Sequence, residues 1–591
     1  MSGIEALVLL LMTPLVPLGL ALAPPRWRRD GRWQTTAALA ALPALVTSAL
    51  MPAGIAATLP WLLEGSEFGL DVPGRLFLFF SSAIWLAAGL HARTFVPDPE
   101  RSRFFVFFLF VMSGNLGLIV ARDILAFYLF FVLMSFGAYG LIVHGKGRES
   151  RRAGRIYMSL VVAGDMLLFA ALVLSALEAG GSLLFEAVRE SVIDSPWRDT
   201  IFALVVLGFG VKLGLIGLHV TLPLIYRAAP IPAAAVLAGA VLSAGLLAWL
   251  RFLPFGTPLP GLGALLIPAG IAAAFYGAVV GVLQREARAV LGYSSVSQMG
   301  VMTAGVGAAA AAGLHADKII AAVVLYAMHH AFAKSALFLG LDWASDRPRS
   351  RWRRAALGAG LLLPAVALTG APFTSGMLAK EFLKESLAEA ELPAVAVLAT
   401  LLPWTALATT LIVARFLWLA WPRGCRSPQQ RALTAPTRRR AAMLAAPWAA
   451  LWLLTASAVW LLPIEDPPNL LAAGVLWETF WPLAFGVALA IAAAHLVASR
   501  RVPPPPEVPP GDVVVIAERG AQALRRLWIG FAQRALPAAR DTVQGAARVA
   551  RDSSLWPSFT IRVENLLGQW SVSLALFIAL AVLLAAAAMW L

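Results

Sequence analysis

Six titratable side chains stand inside apolar stretches of this sequence and can carry protons: Asp165, Lys212, His219, His330, Lys334 and Lys380. An ionisable group within a long apolar run is costly to keep, and is by default a candidate for an ion or proton path. Lys212 lies about twelve residues into the run 200–220, too deep for its amine to snorkel to a boundary. Held out of water, an amine keeps or releases its proton according to the carboxylate, hydroxyl or water beside it. Asp165, within VVAGDMLLF, is the candidate partner, because a lone carboxylate at that depth is neutral or paired. His219 follows Lys212 by seven residues. In VVLYAMHHAFAKSALFLG, His330 and Lys334 are four apart and share a helix face, an arrangement suited to relay through an imidazole. His329 points elsewhere, as an interhelix hydrogen bonder. Lys380 and Glu381 follow ALTGAPFTSGM, at an exit of the path. Plainer readings stay open for each: a structural ion pair for Lys212, a helix–helix hydrogen bond for Asp165, an interfacial cation for Lys380.

Other chemistry is poorly supported. There is no phosphate loop, and no dinucleotide fingerprint follows a strand. The single cysteine, Cys425, excludes an internal disulfide and a Cys-rich metal or iron–sulfur site. No cofactor and no metal are assigned. Arg122 and Asp123, at a tight turn, are read as pairing with each other. Tyr293, Ser294, Ser295, Ser297 and Gln298 offer either polar lining or small-residue helix packing.

The elements that position these groups are membrane helices. The 591 residues are 60% hydrophobic and only 13% charged, which excludes a soluble chain of this length. Apolar runs near twenty residues match helices crossing a hydrocarbon core of ~30 Å, and they lack the alternation of a barrel. The fold class is an all-α polytopic membrane protein of about sixteen spans, with a C-terminal lateral or interfacial helix. The spacing predicts spans at 4–23, 35–56, 74–95, 103–121, 123–145, 157–179, 200–220, 232–252, 262–283, 289–311, 318–342, 355–380, 392–420, 441–463, 478–498 and 570–591. The first run is read as a retained span and not as a signal peptide.

Basic residues cluster at nearly every odd-numbered exit, among them Arg26 to Arg32, Lys146 to Arg155 and Arg438 to Arg440. This alternation accounts for the net charge of +15 without nucleic acid, and places both termini on the outer face of a bacterial inner membrane. Pro223, Pro230 and Pro232 after Lys212, and Gly370, Pro372 and Gly376 before Lys380, predict two broken helices. Four intact spans separate them, so 103–252 and 262–421 form two inverted five-span units, each a half-path. Residues 1–102 supply three further spans, 441–498 two, 499–569 a Pro-rich linker and amphipathic lateral helix, and 570–591 the last span.

The chain resembles the antiporter-like membrane subunits of respiratory complex I, membrane-bound hydrogenases and multisubunit cation/proton antiporters. The resemblance runs from Asp71 to Trp421. It rests on Lys212, Gly214, His219, Leu222, Pro223, Ala229, Pro230 and Pro232, and on QREARAVLGYSSVSQMG (284–300), HAFAKSALFL (330–339) and GAPFTSGMLAKE (370–381). It implies fourteen core spans with two inverted half-paths, and a tail like that of the largest complex I antiporter-like subunit, strapped across a partner. It also implies a proton-translocating subunit working beside other membrane subunits, and a soluble redox or zinc-binding partner, since no redox centre is encoded here.

Three departures stand out. Val132 occupies the place of a usual glutamate in FYLFFVLMS, Leu237 and Ser243 stand where a lysine or histidine is usual, and Gly217 replaces a proline. Asp165 is the expected substitute for the missing carboxylate. Three alternatives stay open: a Na+/H+ antiporter component, an inorganic-carbon uptake subunit, and a scaffold that has lost pumping.

Overall fold

The computed structural model describes residues 3–62, 65–345, 351–390, 392–421, 438–461 and 467–500, and beyond these only 503, 506, 508–516, 518, 520, 523 and 526. The expected last span, 570–591, and most of the expected lateral helix lie outside the described residues. The chain divides into two compact units, Met1–Val513 and Val514–Leu591, and the first of them is the helical bundle.

Helices dominate, as they must where lipid leaves each backbone amide to find its partner within the segment. In order they are α1 (Gly3–Ala21), α2 (Pro25–Arg28), α3 (Gly31–Ala38), α4 (Leu42–Leu50), α5 (Val72–Phe95), α6 (Asp98–Val120) and α7 (Ile124–Ile142). Next come α8 (Arg148–Glu178), α9 (Phe185–Ile193), α10 (Arg198–Leu213), α11 (Thr221–Ala228), α12 (Ile231–Val236) and α13 (Leu242–Phe252). The series ends with α14 (Pro260–Val282), α15 (Ala287–Ala312), α16 (Ala316–Ser345), α17 (Arg351–Thr369), α18 (Ser375–Ala388), α19 (Pro393–Ala420), α20 (Arg438–Leu461) and α21 (Ala473–Ala498). Helices α14 and α15 pack along each other, and α16 is buried from Ala322 to Gly340 at the centre of the unit.

Among the described residues, ten helical stretches are long and apolar enough to cross a membrane, one of them joining α15 to α16. The chain is thus an all-α polytopic membrane protein. The count falls short of the sixteen expected spans partly because several predicted spans are interrupted. The run 35–56 divides into α3 and α4, with Pro43 in the first turn of α4, where a missing amide does no harm. It then leads into an antiparallel hairpin, β1 (Ala56–Leu59) against β2 (Ser66–Gly69), which the apolar periodicity did not reveal. The run 200–220 stops at Leu213, and 355–380 at Thr369.

Both latter breaks fall at glycines. Gly214 (φ +78°) and Gly370 (φ +83°) adopt a left-handed backbone that ends a helix and penalises any Cβ. A Cβ on Gly214 would also lie 2.5 Å from the Leu222 side chain, so the turn packs directly on α11.

Arg122 and Asp123 do not pair with each other as expected. Arg122 binds Asp71 at 3.1 Å and Glu186 at 2.8 Å, while Asp123 caps α7 by accepting from Ala126 N–H at 2.7 Å. Arg251, from the end of α13, donates to the carbonyls of Leu118, Ile119 and Ala121 at 2.6–2.8 Å. It thereby satisfies the carbonyls left free at the end of α6. This lock fixes α13 against α6 and α5, and with it the helix that lies between the two lysine sites.

Candidate functional site

Lys212 is the penultimate residue of α10, two residues before the left-handed turn at Gly214. The helix end carries the amine into the bundle, where it is 7% exposed. Its Nζ donates to the Tyr157 hydroxyl at 2.8 Å and lies 5.4 Å from the Phe131 ring centroid and 5.1 Å from that of Tyr157. A hydroxyl and two aromatic faces make a cation tolerable without fixing it in an ion pair. Asp165, on α8 and 5% exposed, is within electrostatic range of Lys212, yet no direct ion pair joins them. Its Oδ2 is buried without a hydrogen-bond partner. Tyr157 therefore stands where the sequence placed a carboxylate contact.

Beside the amine is a cavity of about 20 Å³, lined by Tyr157, Lys212, Thr221, Leu237, Val241 and neighbouring apolar residues. That is room for one water. Val132 is half-buried on α7, one residue from Phe131, which faces the lysine.

Between this cavity and α16 runs the segment 231–252. It is not a plain helix: a π turn, Leu237–Val241, interrupts it between α12 and α13. Turns of this kind disturb the regular ladder and recur at functional sites. Here side chains take up main-chain carbonyls around the turn. Ser335 donates to the Ala235 carbonyl at 3.0 Å, and Asn115, itself held by Trp85 at 2.8 Å, donates to the Ala240 carbonyl at 3.3 Å. Leu237 and Val241 face the Lys212 cavity, whereas Gly239 presses on Ser335, the neighbour of Lys334. The segment carries no charged side chain between the two sites, but it does carry polar backbone.

The second site is built differently. Lys334 is fully buried on α16 and donates to the Leu291 carbonyl of α15 at 2.8 Å. His330, one turn earlier, has both ring nitrogens buried without a hydrogen-bond partner. It interacts electrostatically with Lys334 and with His329. His329 does bond between helices, its Nδ1 meeting Ser375 Oγ at 2.8 Å at the start of α18, but it also lies within electrostatic range of Lys380. Lys380 folds back on the Gly370 turn, donating to the Thr369 carbonyl at 2.8 Å. A Cβ on Gly370 would meet its stem at 2.8 Å, so the glycine both ends α17 and makes room for the amine. The four groups form a series, Lys334, His330, His329 and Lys380, with Glu381, 6% exposed, next to its end.

His219 joins neither series directly. It lies in the turn between α10 and α11, 1% exposed, edge-on to Tyr276 at 5.0 Å between centroids. Its nearest charged partner is Asp512, with Nε2 3.6 Å from Oδ1. Gly217, in the same turn, has φ +87°, a backbone a proline cannot adopt, so the missing proline corresponds to a different local path.

Sequence reasoning missed Tyr157, His329 as a member of the series, Ser375 and Asp512. Only His329 carried a signal, as the adjacent histidine in a buried run. The others come from elements 46 to 293 positions away from their partners.

A family model described as the transmembrane region of NADH:quinone oxidoreductase and Mrp antiporters matches residues 121–403. A candidate antiporter subunit, mnhA2, of Staphylococcus saprophyticus is 27% identical over 370 residues, covering 57% of this chain and 46% of that protein. Its counterpart in Staphylococcus epidermidis is 25% identical over 366 residues, covering 57% and 45%. This chain spans about half the length of those relatives. The fold is similar to a chain of the Mrp complex from Dietzia sp. DQ12-45-1b, with TM-score 0.69 and 20% identity over 98% of this chain and 63% of that one. It is also similar to a chain of the membrane-bound sulfane sulfur reductase, an archaeal respiratory membrane complex, with TM-score 0.64 and 19% identity over 98% of this chain and 100% of the other.

Proposed function

This chain belongs to the antiporter-like family of membrane subunits related to Mrp antiporters and complex I, and from that premise we propose that it moves protons as one subunit of a larger ion-coupled membrane complex. The observation that carries the reading is the Lys212 site. A lysine deep in an apolar bundle shares its surroundings with one hydroxyl, a carboxylate held at a distance and a water-sized space. An amine arranged in this way can exchange its proton when the carboxylate's charge or the water changes.

In this reading Lys212 and Asp165 form the first half-path, and Lys334, His330, His329 and Lys380 the second. The π turn at 237–241 lies between them and, with water, replaces a titratable link. The finer architecture belongs to the same proposal: sixteen spans, two inverted five-helix units at 103–252 and 262–421, and both termini on the outer face of the bacterial inner membrane. Two facts support it. The left-handed breaks at Gly214 and Gly370 occupy corresponding places in the two units, and inverted units with discontinuous helices are a recurrent transporter plan.

The partners are other membrane subunits, for which α21, exposed along most of its length, offers a face. Redox or zinc chemistry is assigned to a soluble partner. Na+ as the coupled cation is the variant suited to relatives named as antiporter subunits. A second reading, a non-pumping scaffold, is favoured by Val132 and by the stretch 231–250, which carries no charged side chain.

The test is Lys212→Ala in the assembled complex. Proton-coupled activity is expected to fall by roughly 10²-fold with assembly intact. A normal coupled rate in that variant overturns the proposal in favour of the scaffold.

A further inference from the structure

One buried carboxylate lies outside both half-paths and outside every motif of the resemblance: Asp512, in the segment that follows α21. It is 6% exposed although it stands in a Pro-rich stretch. Its seating is specific. Gly511 takes φ +78°, and a Cβ there would lie 2.9 Å from Leu224 of α11, so the backbone fits this groove only as glycine. The Gly511 N–H donates to the Tyr293 hydroxyl at 3.3 Å, and the Val508 carbonyl accepts from Gln284 at 3.0 Å. Tyr276 donates its hydroxyl to Asp512 Oδ2. Contacts to α11, α14, α15 and the link between α14 and α15 thus hold the carboxylate over the turn that carries His219.

The groups facing Asp512 are His219 from the turn, Tyr276 from α14 and Tyr293 from α15. His219 has neither ring nitrogen hydrogen-bonded. Among the groups facing this imidazole, the carboxylate at 3.6 Å is the anion that can orient it.

We propose that Asp512 is a positioning residue for His219, a fixed anion that orients that imidazole in the turn after the Lys212 helix, so that the segment after α21 contributes a residue to the path. The inference rests on the proton-path reading above. The surroundings of Asp512 agree with a permanent anion. Burial works against its charge, but His219, the Tyr276 hydroxyl and the Val513 N–H together hold it below the ordinary carboxylate range. It is therefore ionised at neutral pH and does not itself carry the proton.

The test compares Asp512→Asn, Asp512→Glu and His219→Gln in the full chain within its complex, with proton-coupled rate measured against pH. Removing the anion is expected to lower the coupled rate about tenfold, the scale of one lost charge-assisted contact, with Asp512→Glu restoring it, a rescue that a merely structural role would not show. The double variant D512N/H219Q is expected to be no worse than H219Q alone, because the two act as one unit. A D512N profile superimposable on wild type, while Lys212→Ala is inactive, overturns this inference and leaves the path standing. Should D512N not assemble, His219→Gln decides: a coupled rate lowered about tenfold supports the pair, and an unchanged rate overturns it. Should Lys212→Ala be fully active, the path itself fails.

Discussion

The two lysine sites solve the same problem in opposite ways. Lys212 has a carboxylate in range, a hydroxyl donor–acceptor in contact and space for a water. Lys334 is more completely buried, and its amine rests on a main-chain carbonyl. Its titratable neighbours are His330, His329 and Lys380, bases like itself, with Glu381 only at the far end. A series of bases without a carboxylate cannot all be charged in low dielectric. In the proposed path the second site therefore holds few protons at once, while the first can hold a charge against Asp165. On that proposal storage falls to the first site and transfer to the second, with the helix between them as the point of coupling.

The largest effect that sharpens this contrast is at Asp165. Asp165→Asn removes the carboxylate that balances Lys212, and proton-coupled activity is expected to drop by about tenfold or more. Tyr157→Phe leaves that charge in place and removes one hydrogen bond, for a smaller loss. Rates measured on the two variants in the assembled complex decide it: equal losses, or a larger one for Tyr157→Phe, break the assignment of storage to the Asp165 pair.

Next comes the coupling helix. Gly239→Ala places a Cβ 2.4 Å from Ser335 Oγ, 2.9 Å from Ile84 and 3.0 Å from the Ala331 carbonyl. Forcing such a contact is expected to destabilise the chain by ~1–3 kcal/mol. It should also depress coupled activity beyond what the lower melting temperature explains. A variant that melts early but couples normally shows that the π turn serves packing alone.

The smallest expected effect lies at the opposite end of the scaffold. Asp71 caps α5, accepting from Gly74 N–H at 2.7 Å, and binds Arg122 and Arg251. Burial raises its carboxyl, but the two guanidiniums and the cap outweigh this and hold it below the ordinary 3.8. A depressed carboxylate contributes stability that is present above the unfolded value and lost as pH falls through the folded one. Asp71→Asn keeps a capping oxygen but loses the charge facing Arg122 and Arg251, and is therefore expected to melt lower at neutral pH, by about 1 kcal/mol, with the gap closing below pH 3.8. A gap independent of pH contradicts the charge term.

Much of this architecture was legible in the residues. The broken helices follow from Gly370 and the prolines, because glycine and proline act through the local backbone, although the first break falls earlier than the prolines, at Gly214. The His330–Lys334 face follows from helical spacing. What periodicity could not encode were meetings between distant elements. Tyr157 reaches Lys212 from another helix, and Asp512 reaches His219 from 293 positions away. The run 35–56 read as a span because its apolar content is high, while Pro43 and the hairpin pairing at Ala56 and Gly69 decided otherwise. The π turn left no mark among the small residues LAGAV.

Communication between the two lysine sites across the 231–252 segment is tested most directly by a high-resolution density map of the assembled complex. Ordered water is expected in the Lys212 cavity, continuing past the carbonyls around Leu237–Val241 to the Lys334 amine in at least one state. Dry apolar packing between Lys212 and Lys334 in every state resolved would contradict it.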